Sequence, residues 1–146
     1  MAGLNNLKLR LFADGADLAA IAELAKNPLV RGFTTNPTLM RKAGVKDYKE
    51  FSLAALAIIG NRPISVEVFS DDFGEMEEQA LEIASWGRNV NVKIPVTNTR
   101  GEFAGELIRR LSRQGVFLNV TALLTVDQVR MVTDCLEGSA PAFISV

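Results

Sequence analysis

The sequence predicts an α/β fold of the parallel (β/α)8 barrel type, carried as far as a sixth strand, on three observations. Short apolar, β-branched stretches begin near Leu7, Val30, Ile64, Val90, Val116 and Pro141, and a helix-like segment follows each of the first five. The last four starts lie about 26 residues apart, which is a short strand, a three-turn helix and two loops. Along the strands, one side-chain parity is apolar and the other polar. A sheet between two helix layers needs apolar residues on both faces, whereas a barrel needs them only on its outer face. Parity therefore selects the barrel over an open doubly wound sheet.

The elements follow in order. The first strand runs into Asp14-Gly15-Ala16-Asp17, a turn with Asp17 as a candidate N-cap, and then into a helix striped by Leu18, Ile21, Ala22 and Leu24. The second strand, from Val30, ends at Asn36-Pro37, an N-cap followed by an N1 proline. Leu53, Leu56, Ala57 and Ile59 mark the apolar stripe before the third strand. In that strand Val66 and Val68 oppose Ser65 and Glu67, and Asp72-x-x-Glu75 opens the next helix as a capping box. In the fourth strand Val90, Val92 and Ile94 oppose Asn91 and Lys93, and Thr99-x-x-Glu102 is a second capping pattern. Leu118 and Val120 oppose Asn119 and Thr121 in the fifth, before a third box at Thr125-x-x-Gln128. In the last, Ser145 opposes Ile144 and Val146. Gly44, Gly60, Gly87, Gly115 and Gly138 sit near the helix stops.

Composition narrows the chemistry. The 146 residues include 48% hydrophobic and 23% charged residues, a globular balance that by length makes one domain over residues 1–146. Sixteen basic against 17 acidic residues give a net charge of −1, which offers no electrostatic reason for a nucleic-acid or membrane partner. There is no histidine, so serine–histidine and cysteine–histidine nucleophiles and histidine-ligated metals are excluded. The single cysteine, Cys135, forms no intramolecular disulfide and reads as a buried small hydrophobe. The first ten residues lack the apolar core of a signal peptide, and no apolar run approaches the ~20 residues that span a bilayer. The expected location is the cytoplasm.

Lys93 is the most informative position. An ammonium in mid-strand between Val92 and Ile94 is costly to desolvate, and the neutral amine that burial favours is what a Schiff-base nucleophile requires. A lysine paired with Glu67, or snorkelling at a strand end, explains the same pattern without chemistry. Glu67 and Asp14 would be two carboxylates on the rim that carries Lys93, suited to moving protons. For Asp14, a simple turn before the Asp17 cap stands beside that reading. Asn119 and Thr121 suit hydrogen bonding within the strand face. Asn119-Val120-Thr121 also matches a glycosylation sequon, which a strand interior would bury.

These residues resemble the transaldolase family of class I, Schiff-base aldolases, which includes fructose-6-phosphate aldolase. Gly32-Phe33-Thr34-Thr35-Asn36-Pro37-Thr38-Leu39-Met40 is similar to the family's T-T-N-P signature, and Val92-Lys93-Ile94-Pro95-Val96-Thr97 to its lysine strand. Ala13-Asp14-Gly15-Ala16-Asp17-Leu18, Val66-Glu67-Val68, Asn119-Val120-Thr121 and Phe143-Ile144-Ser145 resemble the remaining site segments. The resemblance covers the whole chain and implies a TIM barrel acting on sugar phosphates without cofactor or metal. It implies Lys93, Asp14, Glu67 and Thr121 as catalytic residues and Thr35, Asn36, Asn119 and Ser145 as substrate-binding ones. A homo-oligomer fits it, and neither nucleic acid nor membrane is called for. Glu67 resembles the transaldolases, because the lyase-type relatives tend to carry glutamine there.

Three positions depart from the family pattern. Gly15 stands where a hydroxyl residue is usual, and the stretch from Lys93 to Gly101 is one residue longer. Past Ser145 the pattern would continue with an aromatic residue and a phosphate-contacting arginine, whereas this sequence ends at Val146. At its own repeat length the chain is expected to be a barrel of roughly 200 to 250 residues cut after the sixth strand. Three functions follow as expectations: dihydroxyacetone transfer between sugar phosphates, an aldolase-type lyase, or an inactive barrel fragment.

Overall fold

The computed structural model describes residues 8–138 and 140–146, which form two compact units meeting in sequence at Ser65 and Val66. The first contains β1 (Leu11–Asp14), α1 (Leu18–Ala25), β2 (Val30–Thr34), α2 (Pro37–Lys42), α3 (Tyr48–Ile59) and the start of β3 (Ile64–Glu67). β1 and β2 pair in parallel, with Asp14 opposite Thr34, and β2 continues onto β3 with Thr34 opposite Ser65. Side chains cap each helix: Asp17 accepts from the Ala20 N–H at 2.7 Å, Asn36 from Leu39 at 2.9 Å and Asp47 from Glu50 at 2.8 Å. Phe33, Met40, Ala55, Ile59 and Ile64 are buried in this unit. The Arg62 guanidinium lies 5.4 Å from the Phe33 ring centroid and donates to the carbonyls of Ala25, Val30 and Ile59, tying three elements together. Gly32 is dictated by a close approach, since a Cβ there would lie 2.2 Å from the Phe12 ring.

The second unit continues β3 and adds α4 (Phe73–Ser85), β4 (Val90–Pro95), α5 (Gly105–Arg113), β5 (Leu118–Thr121), α6 (Val126–Cys135) and β6 (Ala142–Ile144). β4 pairs in parallel with β5, and β5 with β6. At the end of β3 the Val68 N–H donates to the Lys93 carbonyl at 3.2 Å. Val66, Val92, Ile94 and Val120 are fully buried, and α4 and α5 pack on β4 and β5. α5 turns Leu107, Ile108 and Leu111 inward and its arginines outward. Arg110 pairs with Glu77 of α4 at 2.7 Å, and Arg109 and Arg113 converge on Glu137 past α6. Gly138 follows, where a Cβ would fall 1.9 Å from the Ser112 carbonyl oxygen.

In each unit, successive strands pair in parallel in the order of the sequence, with helices between them. A doubly wound sheet reverses its strand order at a switch point. The order found here is that of a (β/α) barrel, and the chain carries that fold through its sixth strand. The strands begin at Val30, Ile64 and Val90 as expected, at Leu118 and Ala142 one or two residues late, and at Leu11 rather than near Leu7. Leu7 itself lies outside the described residues.

Several local expectations are corrected. Between β2 and β3 there are two helices, α2 and α3. In α3 the buried face is Phe51, Ser52, Ala55 and Ile59, while Leu53 is 43% exposed. At 100° per residue, Leu53 and Ala57 fall about 150° or more round the helix from the centre of that face. In α1 only Ile21 of the expected stripe is buried, and Leu24 is exposed. Thr99-x-x-Glu102 starts no helix. The Asn98 side chain accepts from the N–H groups of Arg100 and Glu102, Gly101 turns with φ 79°, and Thr97 bridges antiparallel to Phe103. That tight turn takes up the backbone the capping box needed, and α5 begins only at Gly105, without a side-chain cap. At Thr125 the full box opens α6, whereas at Asp72 only the N-cap half forms: Asp72 accepts from the Gly74 and Glu75 N–H groups, while its own N–H donates to the Ser70 hydroxyl, which in turn donates to Glu75.

Candidate active site

In (β/α) barrels chemistry gathers at the carboxyl ends of the strands, because the loops there can vary while the strands hold their register. The second unit places a lysine and a carboxylate there together. Lys93, on the polar parity of β4, brings its Nζ 3.0 Å from Glu67 Oε2, and the two side chains are only 13% and 22% exposed. Such a pair is costly to desolvate and survives by good geometry. The pairing with Glu67 that accounts for Lys93 without chemistry is therefore what the fold contains.

Lys93 lies directly opposite Asn119 of β5 in the ladder. Asn119 is almost fully buried, and its Oδ1 accepts from the Ser145 hydroxyl at 2.6 Å. The Ser145 N–H in turn donates to the Val120 carbonyl at 2.8 Å, so the backbone just past β6 is set by β5. Thr121 is half-buried at the end of β5, and its carbonyl accepts from the Val96 N–H at 2.9 Å. The next residue, Ala122, has φ 63°, a left-handed conformation that costs an alanine about 1 kcal/mol.

The first unit holds the other expected residues. Asp14 ends β1 with its Oδ1 accepting from the Thr34 hydroxyl at 2.7 Å, while Asp17 alone caps α1. The Asp17 cap expected with a simple turn is thus present, and Asp14, the last residue of β1, has a partner of its own. Thr34, left out of the expected site, is the residue the structure adds. Its pairing follows from the register of Asp14 opposite Thr34, which no local motif displays. Thr35 is fully buried, with its N–H donating to the Ser65 carbonyl at 3.1 Å. Asn36 is extended, as a residue before proline must be, and its Oδ1 caps α2. Gly15 donates its N–H to the Thr34 carbonyl at 3.1 Å.

Comparison with known proteins bears on the family. The family model described as Transaldolase/Fructose-6-phosphate aldolase matches residues 11–146. A protein of Dehalococcoides mccartyi called "Probable transaldolase" is 40% identical over 132 residues, which is 90% of this chain and 58% of that protein. Proteins of the same name from Streptococcus agalactiae and Streptococcus pyogenes are 38% and 39% identical over 120 residues, 82% of this chain and 53% of theirs. The chain spans about half the length of the curated relatives it matches. With the family model covering nearly all of it, the chain belongs to the transaldolase/fructose-6-phosphate aldolase family.

Proposed function

We propose that the protein transfers a dihydroxyacetone unit from a ketose phosphate, such as fructose 6-phosphate, to an aldose phosphate through a Schiff base on Lys93. The observation that carries this reading is the shielded Lys93–Glu67 pair at the carboxyl ends of β3 and β4. The amine must lose a proton before it attacks the C2 carbonyl. Glu67, one hydrogen bond away, takes that proton directly or through a water shared with the Thr121 hydroxyl. It then returns it to the carbinolamine hydroxyl, which leaves as water.

The resulting iminium is the electron sink for cleavage. Asp14 takes the C4 hydroxyl proton, the C3–C4 bond breaks, and an aldose phosphate departs from a lysine-bound enamine. The Thr34 hydroxyl occupies Asp14 Oδ1, which leaves Oδ2 to accept the proton. Asn36, Asn119 and Ser145 hold the hydroxyls of the three-carbon unit until an acceptor aldehyde adds and Asp14 gives its proton back. The Oδ1 atoms of Asn36 and Asn119 already accept from the Leu39 N–H and the Ser145 hydroxyl, which fixes the orientation of both amides. Thr35, being buried, sets the backbone between Thr34 and Asn36.

The family description also covers fructose-6-phosphate aldolase, in which a proton takes the place of the acceptor. Glu67 favours transfer. The test is borohydride trapping with ketose phosphate, read as a dihydroxyacetone-sized mass on the peptide containing Lys93, beside paired assays with and without aldose phosphate. An adduct with acceptor-dependent turnover is expected. Turnover at equal rate without acceptor makes the protein a lyase, and no adduct ends the Schiff-base reading. A cytoplasmic setting belongs to the same proposal, supported by the one buried, unbridged cysteine. No helix among the described residues is long and apolar enough to cross a membrane.

A further inference from the structure

The connection after β4 is strapped to the connection after β3 by one carboxylate. Asp71 accepts from the Thr99 N–H at 2.7 Å on one oxygen and from the Thr99 hydroxyl at 2.6 Å on the other. Bonds to an ionised acceptor are shorter and stronger than neutral ones, so they persist where solvent reaches. Both ends of the strap are stiff. On one side Gln79 Oε1 accepts from the Phe69 and Ser70 N–H groups, pinning the exit of β3 to α4. On the other, the Asn98 turn and the Thr97–Phe103 bridge brace the loop, and the Ala104 N–H returns to the Val96 carbonyl at 3.0 Å. Glu67 lies four residues before Asp71 and Lys93 six before Thr99, so a shift at the strap is passed along two short, braced tethers.

We propose that Asp71 is a positioning residue for the Lys93 amine, bridging the exits of β3 and β4 so that Glu67 stays against Lys93. The proposal rests on Lys93 being the reacting amine and adds the residue that keeps it placed. The Thr99 hydroxyl and N–H hold the Asp71 carboxyl below its ordinary range, with Arg100 lowering it further. Asp72 and Glu102 are the other charges around Arg100. Preorganised groups in active sites depend on such supporting contacts, and small misplacements are costly.

The test compares Asp71→Ala, Asp71→Asn and Thr99→Ser with the parent. It reads reductive methylation of Lys93 by formaldehyde and dimethylamine-borane, and tryptic cleavage at Arg100–Gly101. Asp71→Ala should raise both rates about tenfold, as loss of charge-assisted bonds opens the loop and uncovers the amine. Asp71→Asn, with one accepting oxygen, should fall between, and Thr99→Ser, which keeps both donors, should match the parent. Lys42 and Lys49 of the first unit should label at unchanged rates and so report an intact fold. Faster cleavage with Lys93 labelling within about twofold of the parent would overturn the proposal, as would no change at either place. If Asp71→Ala does not fold, Asp71→Asn and Thr99→Ser carry the same comparison. Borohydride trapping on the same samples separates the two ideas, because a parent with no adduct ends the Schiff-base reading and leaves the labelling comparison standing.

Discussion

Asp14 and Glu67 are both acidic residues ending parallel strands, and their surroundings differ in the two ways that matter for a carboxylate. Asp14, in the first unit, is exposed and held by a neutral hydroxyl. Glu67, in the second, is mostly shielded and held by an ammonium. Removing the partner of an exposed carboxylate lets water take its place, whereas removing the partner of a shielded one leaves an uncompensated charge. The same functional group is thus interchangeable for stability at one strand end and structurally committed at the other. In the proposed chemistry that difference separates two roles, a group coupled to the lysine's own proton and a group left available for a substrate proton.

The largest effects come from Lys93 itself. Lys93→Arg keeps the charge opposite Glu67 and removes the nucleophile, so trapped adduct and transfer should vanish while thermal unfolding moves by no more than about 4 °C. Lys93→Met should also abolish the adduct and in addition cost about 1–3 kcal/mol in chemical denaturation, because the mostly shielded Glu67 loses the ammonium 3.0 Å away. Equal stability of the two variants would show that Glu67 does not depend on the Lys93 ammonium for its place in the fold.

The carboxylates should then separate by step. Glu67→Gln should slow formation of the trapped adduct by about 10²–10⁴, the usual worth of a positioned proton-transfer group. Asp14→Asn should leave adduct formation near the parent rate and lower carbon–carbon cleavage by a similar factor. Single-turnover mass spectrometry distinguishes them, and an Asp14→Asn protein that fails to form the adduct would assign both carboxylates to one step. On stability, Asp14→Asn should cost under about 0.5 kcal/mol.

The Lys93–Glu67 pair was legible from sequence because period-two alternation in a strand is fixed by geometry, so Lys93 and Glu67 had to share a parity opposed to Val92 and Val66. Order along the chain did the same for the barrel repeat. What stayed hidden depends on contacts between segments. Thr34 rather than Thr35 holds Asp14 because β1 and β2 register Asp14 opposite Thr34, and nothing within either strand encodes that register. Thr99 satisfies the capping pattern locally, yet Asp71, 28 positions away in sequence, takes its hydroxyl and N–H. The α3 stripe failed for a related reason: Leu53 and Phe51 are equally apolar, and only the packing decides which face is covered.

The smallest predicted effect concerns acid, and again divides the chain. Asp71, Glu77, Glu102 and Glu137, all in the second unit, have carboxyls held below their ordinary values of 3.8 for Asp and 4.5 for Glu. The chief causes are the Thr99 hydroxyl for Asp71 and Arg110, Arg100 and Arg113 for the three glutamates. A carboxyl lowered in the folded state contributes stability that is present above its unfolded pKa and is lost as pH falls through its folded one. Stability should therefore be level down to about pH 5 and decline below it. Because most of these pairs are exposed, the decline should be shallow and should weaken further in salt. Glu77 joins α4 to α5 and Glu137 joins α5 to the segment after α6, so amide exchange should rise first in those helices. Loss spread evenly over residues of both units would show that acid acts on the barrel repeat as a whole and not through these four carboxylates.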